Sequence, residues 1–354
     1  MSKKVVVTGI TGQDGSYMVD FLLKNTDYII YGMVRRASTL NTTNISQFLT
    51  NDRFKLITGD LSDGQSIANI VSEVVPDYFI NLAAQSFVGS SWQIPEQTFD
   101  VGAMGVLRCL EAIRKYAPNC RFYNAGSSEE LGNVDYYPQD DKHPLKPRSP
   151  YGAAKAAARH LVKVYRESYD LYAIQGLLYN HESQRRGEEF VTRKITKGVA
   201  RILKCIKNNE KFEPIHLGNI DAKRDWSHAM DFVEGIWLML NQSEPREYIL
   251  SSGETHSVRE FVSLAFKAAG IEGNWNFVNG NEPINEEFLT TDGDSVATLV
   301  KINPEFYRPA EVDLLLGDST PARKELNWTP RISFTDLVKL MVENDLNLEN
   351  CVNI

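Results

Sequence analysis

Two short stretches carry residue types able to move protons. In "SPYGAAK", Tyr151 and Lys155 stand four apart. On a helix that spacing puts both on one face. A lysine ammonium near a phenol, aided by the positive charge of a nicotinamide, lowers the tyrosine pKa toward neutrality. The tyrosine can then take a hydroxyl proton while hydride leaves the same carbon. The pattern recurs by chance in many helices, so its weight rests on context. The second stretch, "NAGSSEELGNV" (124–134), sets two serines beside two glutamates after the apolar "RFYNAG". If strand alternation persists through it, Ser127 and Glu129 share one face while Ser128 and Glu130 share the other.

The context comes first from "VVVTGITGQDG", which spaces Gly9, Gly12 and Gly15 between a strand and a helix. Glycine is needed where the backbone turns sharply and where a pyrophosphate approaches a helix N-terminus. A lone glycine pattern is weak; its position directly after the first strand of a βαβ series gives it meaning. The second strand ends in "VRRAS", with Arg35 and Arg36 and no acid. A guanidinium pair suits a ribose 2′-phosphate, so the expected cofactor is NADP. Asp60 and Leu61 end the third strand, where an adenine would lie, although Asp60 could equally cap the next segment.

The elements that must hold these residues follow from pattern. Strands are expected at 3–9, 27–34, 54–61, 78–86, 121–128 and 172–180. Helices are expected after the glycine turn, within "IANIVSEVVPD", at 105–117 and at 151–169. Alternation at this spacing means an α/β fold, a Rossmann-type doubly wound parallel sheet. The later chain is less regular. "SVRE" has capping-box form before the helix "FVSLAFKAAG", and 332–345 is an amphipathic helix. The expected division is a dinucleotide domain over 1–180 with a returning segment near 217–245. A smaller, interleaved substrate-binding domain takes 181–216 and 246–354.

Composition narrows the class. The 354 residues are 42% hydrophobic with a net charge of −8, which argues against nucleic acid as a partner. Cys109, Cys120, Cys205 and Cys351 have no CxxC pairing and read as free thiols. The histidines His143, His160, His216, His228 and His256 are scattered, so no metal site is assigned. No signal peptide or apolar run of ~18 residues is seen, which points to the cytoplasm and away from a membrane.

Together these features resemble the extended short-chain dehydrogenase/reductase superfamily. The resemblance sharpens in "VTGITGQDGSYM", "RSPYGAAK", "YNHESQRRGEEFVTRKI", "LGNIDAKRDWSHAMDFVE", "YRPAEVD" and "GDSTPARKELNWTPRISFTDLV". These look like the GDP-mannose 4,6-dehydratase family over almost the whole chain. The resemblance implies a lyase that oxidises the sugar at C4, removes water across C5 and C6, and returns the hydride to C6, with NADP recycled internally. It implies Tyr151 as the C4 base, Lys155 as its electrostatic partner, Ser127 as a hydrogen bond to the C4 oxygen, and Glu129 as the acid/base group. A carboxylate is what the dehydration needs, because the C4 ketone acidifies the C5 proton.

By the same resemblance, Gly9, Ile10, Thr11, Gly12, Gln13, Asp14 and Gly15 contact the cofactor. So do Arg35, Arg36, Ala37, Ser38, Asp60, Leu61, Leu82, Ala83, Ala84, Gln85, Ser86, Tyr151, Lys155, His181 and Arg186. Ser91, Asn180, Val191, Lys194, Gly218, Arg224, Arg308 and Glu311 join Ser127 and Glu129 at the GDP-sugar. The 35–45 loop is expected to reach a neighbouring subunit of a homotetramer. The chain departs from the family at Glu130, where Leu is common, at Leu131, where an aromatic is common, in "SFVGSSW" (86–92) and at Gln97. Those departures leave the sugar open between GDP-mannose and a GDP-manno-heptose. Two other functions stay in view: C4 oxidoreduction or epimerisation of a nucleotide sugar, and a non-catalytic NADP- or GDP-sugar-binding subunit. Glu129 argues against the first and the intact proton-transfer residues against the second. In the family reading Glu129 is the catalyst and Glu130 a structural or solvated neighbour, or a contact that reshapes the sugar end of the pocket.

Overall fold

A computed structural model describes residues 2–278, 280, 282–292, 295–307 and 310–351. The chain begins β1 (Lys4–Thr8), α1 (Gln13–Asn25), β2 (Ile29–Val34), β3 (Phe54–Thr58), α2 (Gly64–Val74) and β4 (Tyr78–Asn81). It continues α3 (Pro95–Phe99), α4 (Gly105–Tyr116), β5 (Arg121–Ala125), α5 (Pro150–Tyr169) and β6 (Ala173–Leu178). Strand alternation explains why these segments form a sheet covered on both sides. Val5 and Val7 face a core with Met18 and Leu22 of α1. Val6, between them, faces the opposite core with Val71 of α2 and Leu110 of α4. Each such side chain, fully buried, contributes about 1.5–3 kcal/mol.

The second half runs β7 (Asn180–Glu182), α6 (Val191–Lys207), β8 (Ile215–Leu217), β9 (Lys223–Arg224), β10 (Trp226–His228), α7 (Ala229–Leu240) and β11 (Ile249–Leu250). Then come β12 (His256–Ser257), α8 (Val258–Ala268), β13 (Asn274–Phe277), β14 (Glu286–Asp292), β15 (Ser295–Ile302), α9 (Thr320–Glu325) and α10 (Phe334–Cys351). The main sheet has seven parallel strands in the order β3-β2-β1-β4-β5-β6-β11. Strand order reverses direction between β1 and β4, the switch point where such sheets bind ligands. Phe232, Val233 and Ile236 of α7 return to the first core, beside α1. A separate sheet, β13-β14-β15-β8, and helices α6, α8 and α10 enclose a third core around Ile195, Phe261, Phe288 and Met341.

Three expectations change. Strands β3 to β6 stop two to five residues before the ends of the segments read from sequence, whereas β2 ends at 34 as expected and β1 one residue early. Apolar and small residues at the strand ends leave the sheet to build loops, and composition does not separate the two. The hairpin of β14 and β15 was not anticipated, because its strands are partly charged and lie on an outer sheet. The last helix runs to Cys351 instead of stopping at 345.

Candidate functional site

The glycine turn is built for close approach. Gly9 has φ +65°, and a Cβ there would stand 2.8 Å from the Ala83 backbone nitrogen. A Cβ on Gly15 would stand 2.3 Å from the Gly9 carbonyl oxygen. Gly12 begins α1 without a side-chain cap, so the helix N-terminus is available to an anion. This cradle, which any Cβ would fill, fits a dinucleotide pyrophosphate. Thr8 ties it to the next crossover, its Oγ accepting from the Leu82 and Ala83 amides at 3.1 Å each. Beyond β2, Arg35, Arg36, Ala37 and Ser38 are exposed, and neither arginine makes an ion pair among the described residues. Thr11 accepts a hydrogen bond on its carbonyl from Asn44 at 3.1 Å. Asp60 accepts from the Ser62 amide and hydroxyl, which is a turn-building role.

The proton-transfer residues meet where β5 ends. The segment Ser128–Glu130 is a single 3₁₀ turn, not a continued strand. Ser127 caps it, and Glu130 reaches back to the Ser127 amide at 2.8 Å in a capping box. Turn geometry, rather than strand alternation, therefore separates the two glutamates. Glu129 lines the cleft, whereas Glu130 is wholly buried, which removes the solvated reading.

Helix α5 arrives from the other side. Ser149 caps it by accepting from the Gly152 amide at 3.0 Å, and Pro150 opens its first turn. Gly152 lies so near the 3₁₀ turn that a Cβ would be 2.5 Å from the Glu129 carbonyl oxygen. Tyr151 and Lys155 both line the cleft. Lys155 Nζ is 5.8 Å from the Tyr151 ring centroid and donates to the Ala125 carbonyl at 2.6 Å. Burial draws Lys155 down to about 8, opposed by the charges of Glu130 and Asp14. Burial pushes the Tyr151 phenol well up, with the Ser127 hydroxyl and Arg186 pulling it back. The protein's own groups therefore do not bring the tyrosine to neutrality.

Opposite this group stands a charged wall. His181 Nδ1 is 2.7 Å from the Tyr179 carbonyl and Nε2 is 2.8 Å from Asp14 Oδ2. Burial lowers the imidazole, and Asp14 more than reverses it, leaving His181 above its ordinary value. Burial alone would raise Asp14, but His181 and Arg186 hold it below. Arg186 pairs with Glu182 at 3.0 Å and lies over the Phe190 ring at 3.6 Å. Lys194 Nζ sits 3.6 Å over Phe306, and Arg224 pairs with Glu311 at 2.9 Å. Asn180 lines the cleft, and its buried side-chain oxygen has no hydrogen-bond partner among the described residues.

One cleft of about 570 Å³ gathers half of the expected residues. Asp14, Leu82, Ala84, Ser86, Ser127, Glu129, Tyr151, Lys155, Asn180, His181 and Arg186 line it, with Val191, Lys194, Gly218, Arg224 and Glu311. Others stand apart. Ser91 is fully buried and donates to the Val88 carbonyl at 2.7 Å; Ser90 lines the cleft in its place. Ile10 and Leu61 are core side chains, and Gln13 is held by His181 and Ser183. Gln85 bonds to the Phe87 carbonyl. Arg308 lies outside the described residues. The sequence reading missed an aromatic lining of Phe87, Trp92, Phe190, Phe306 and Tyr307. Phe190 and Tyr307 directly flank the named Val191 and Arg308, which was the available signal.

The profile of the GDP-mannose 4,6 dehydratase family matches residues 6–341. The chain is 48% identical over 354 residues to a Drosophila melanogaster GDP-mannose 4,6 dehydratase, covering 98% of this chain and 87% of that protein. A human GDP-mannose 4,6 dehydratase is 44% identical, with 97% and 91% covered. Among solved structures, the Streptomyces venezuelae dTDP-glucose 4,6-dehydratase DesIV, with NAD and TYD bound, is 20% identical, has a TM-score of 0.80, and is matched over 98% of each chain.

Proposed function

This chain belongs to the GDP-mannose 4,6-dehydratase family, and from that premise we propose that it is a hydro-lyase converting GDP-mannose to GDP-4-keto-6-deoxymannose with internally recycled NADP. The observation that carries the reading is that Ser127, Glu129, Tyr151 and Lys155 line one cleft beside a glycine cradle. Tyr151 takes the C4 hydroxyl proton, Ser127 hydrogen-bonds the C4 oxygen, and Lys155 holds a positive charge behind the phenol. A bound nicotinamide supplies hydride acceptance from C4, its return to C6, and positive charge beside Tyr151. Glu129 removes the C5 proton and delivers it to the departing C6 hydroxyl, which leaves as water, and the proton that Tyr151 took from the C4 hydroxyl returns to C5, which restores both groups. Simple epimerisation has no use for that carboxylate.

A nicotinamide cofactor agrees with the NAD in the Streptomyces structure. NADP in particular rests on Arg35 and Arg36, exposed at the end of β2 and without ion-pair partners among the described residues. Arg224 and Arg308 are assigned to the GDP diphosphate, and GDP-mannose to the sugar site on the names of the relatives. Residues 1–180 with 217–245 are assigned to the dinucleotide, and 181–216 with 246–354 to the GDP-sugar. The exposed stretch 35–39 suits a loop that contacts a neighbouring subunit of a homotetramer. No helix among the described residues is long and apolar enough to cross a membrane, which agrees with a cytoplasmic site.

The test is incubation of the purified protein with GDP-mannose and, separately, GDP-manno-heptose, without added cofactor, followed by NMR of the product. A 6-deoxy-4-keto product from GDP-mannose is expected. Glu129→Gln should form none while still reducing bound NADP. No 6-deoxy product from either sugar, or full turnover by Glu129→Gln, would refute the reading.

A further inference from the structure

Glu130 has no part in those steps, yet its carboxyl ends a hydrogen-bond chain that crosses the sheet beneath them. Thr8 Oγ donates to Asn81 Oδ1 at 2.5 Å, and Asn81 Nδ2 to Asn124 Oδ1 at 2.7 Å. Asn124 Nδ2 donates to Gln175 Oε1 at 2.6 Å, and Gln175 Nε2 to Glu130 Oε1 at 2.8 Å. The four donors sit on β1, β4, β5 and β6, and all five residues are buried. Every link donates in the same direction, so the dipoles reinforce one another and converge on Glu130. A buried chain of this polarity favours an anion at its accepting end.

The same Glu130 Oε1 accepts the Ser127 amide at 2.8 Å. Gln175 Nε2 also donates to the Lys155 carbonyl at 3.0 Å. Glu130 therefore touches the backbone of one proton-transfer residue and is one side chain removed from another. Its Oε2 is buried with no hydrogen-bond partner among the described residues. The charged groups around it are Arg159 and Lys155 of α5, with the phenols of Tyr151 and Tyr123 nearby and Asp14 beyond Lys155. Burial outweighs the opposing pull of Arg159, the Ser127 amide, Lys155 and Gln175 and leaves the carboxyl raised to about 8, so its charge develops on the alkaline side of neutrality. A leucine here would leave the Ser127 amide and Gln175 Nε2 without this acceptor, each a costly loss in a dry interior.

We propose that Glu130 is a positioning residue of the dehydratase site: its carboxyl fixes the Ser127 backbone and, once ionised, adds to Glu129 and Asp14 a buried negative charge against which Tyr151 and Lys155 work. The inference deepens the function proposed above and rests on Tyr151 and Lys155 as the proton-transfer pair. Its sign is definite. An adjacent anion disfavours the phenolate and favours the ammonium, so it raises the pKa of both groups.

The test compares wild type with Glu130→Gln, which keeps shape and an acceptor oxygen but loses the charge, and Glu130→Leu, which loses both. The alkaline limb of kcat/KM, which reports loss of the Lys155 ammonium, should move to lower pH by roughly one unit in both variants, and the acid limb, which reports Tyr151 as base, should move the same way. Glu130→Leu should also lose kcat by roughly tenfold or more, through the displaced Ser127. Where turnover is too slow to measure, tyrosinate absorbance of the NADP-bound protein, taken as the difference from its Tyr151→Phe counterpart, should show the same acid-ward shift. Limbs and titrations that coincide with wild type, whatever the height of the profile, overturn the proposal. Wild type that yields no 6-deoxy product counts against the function instead, because the Tyr151 titration is read without turnover.

Discussion

His181 cannot satisfy its two contacts as a neutral ring. Both neighbours, the Tyr179 carbonyl and the Asp14 carboxylate, are acceptors, so both ring nitrogens must carry protons. The ring also stacks on Phe232, with centroids 4.5 Å apart. Linkage then sets a pH window. The raised His181 pKa stabilises the fold fully below the ordinary 6.5, and this is lost as pH rises through the folded value. The lowered Asp14 pKa stabilises fully above the ordinary 3.8, and this is lost as pH falls through its folded value. Asp14→Asn should therefore cost about 2 kcal/mol between these limits. It should cost clearly less once His181 has lost its proton. Chemical denaturation at several pH values checks this, and a pH-independent difference would count against the ion pair. The pairing itself was not legible: Asp14 and His181 are separated by 167 residues, and each was read only as a cofactor contact.

At the scale of elements, the site depends on how closely α5 approaches the 3₁₀ turn after β5. Ser149 fixes the start of the helix, and Gly152 lets its first turn lie against the Glu129 carbonyl. Gly152→Ala would force those two elements apart, because the obstructing atom is backbone. The expected result is a loss of kcat of roughly tenfold or more, since misplacement of reacting groups is costly. Nicotinamide cofactor affinity, assigned to the β1–α1 turn, should stay near wild type. Steady-state kinetics with a cofactor titration would separate the two, and an equal loss of both would contradict the assignment. The helix carrying Tyr151 and Lys155 was legible from its alanine-rich pattern. Its distance from Glu129 was not, because that contact depends on a glycine whose need appears only when two backbones meet.

At the scale of the molecule, the cleft has walls from both halves of the chain. Ser127, Tyr151 and Lys155 come from the parallel-sheet layer, while Lys194 of α6 and Phe306, just after β15, come from the layer around the third core. A nucleotide spanning the cleft should stabilise the folded protein by mass action, about 2.7 kcal/mol at a hundredfold excess over Kd. GDP should raise the Tm, and Arg224→Ala should need at least roughly tenfold more GDP for the same rise. An unchanged GDP dependence would remove Arg224 from the diphosphate site.

The order of strands and helices, the glycine turn and the Tyr151–Lys155 pair were determined by the sequence itself. Each rests on local spacing: two residues per strand repeat, four per helical turn, and glycine where a Cβ has no room. Motif singled out Glu129 over Glu130, and the structure puts Glu129 on the cleft for a different reason, a 3₁₀ capping turn in place of strand alternation. The burial of Glu130, the one-way chain from Thr8, and the aromatic lining were decided by tertiary structure alone. Each depends on which distant strand ends the fold sets side by side. Spacing along the chain carries no record of that.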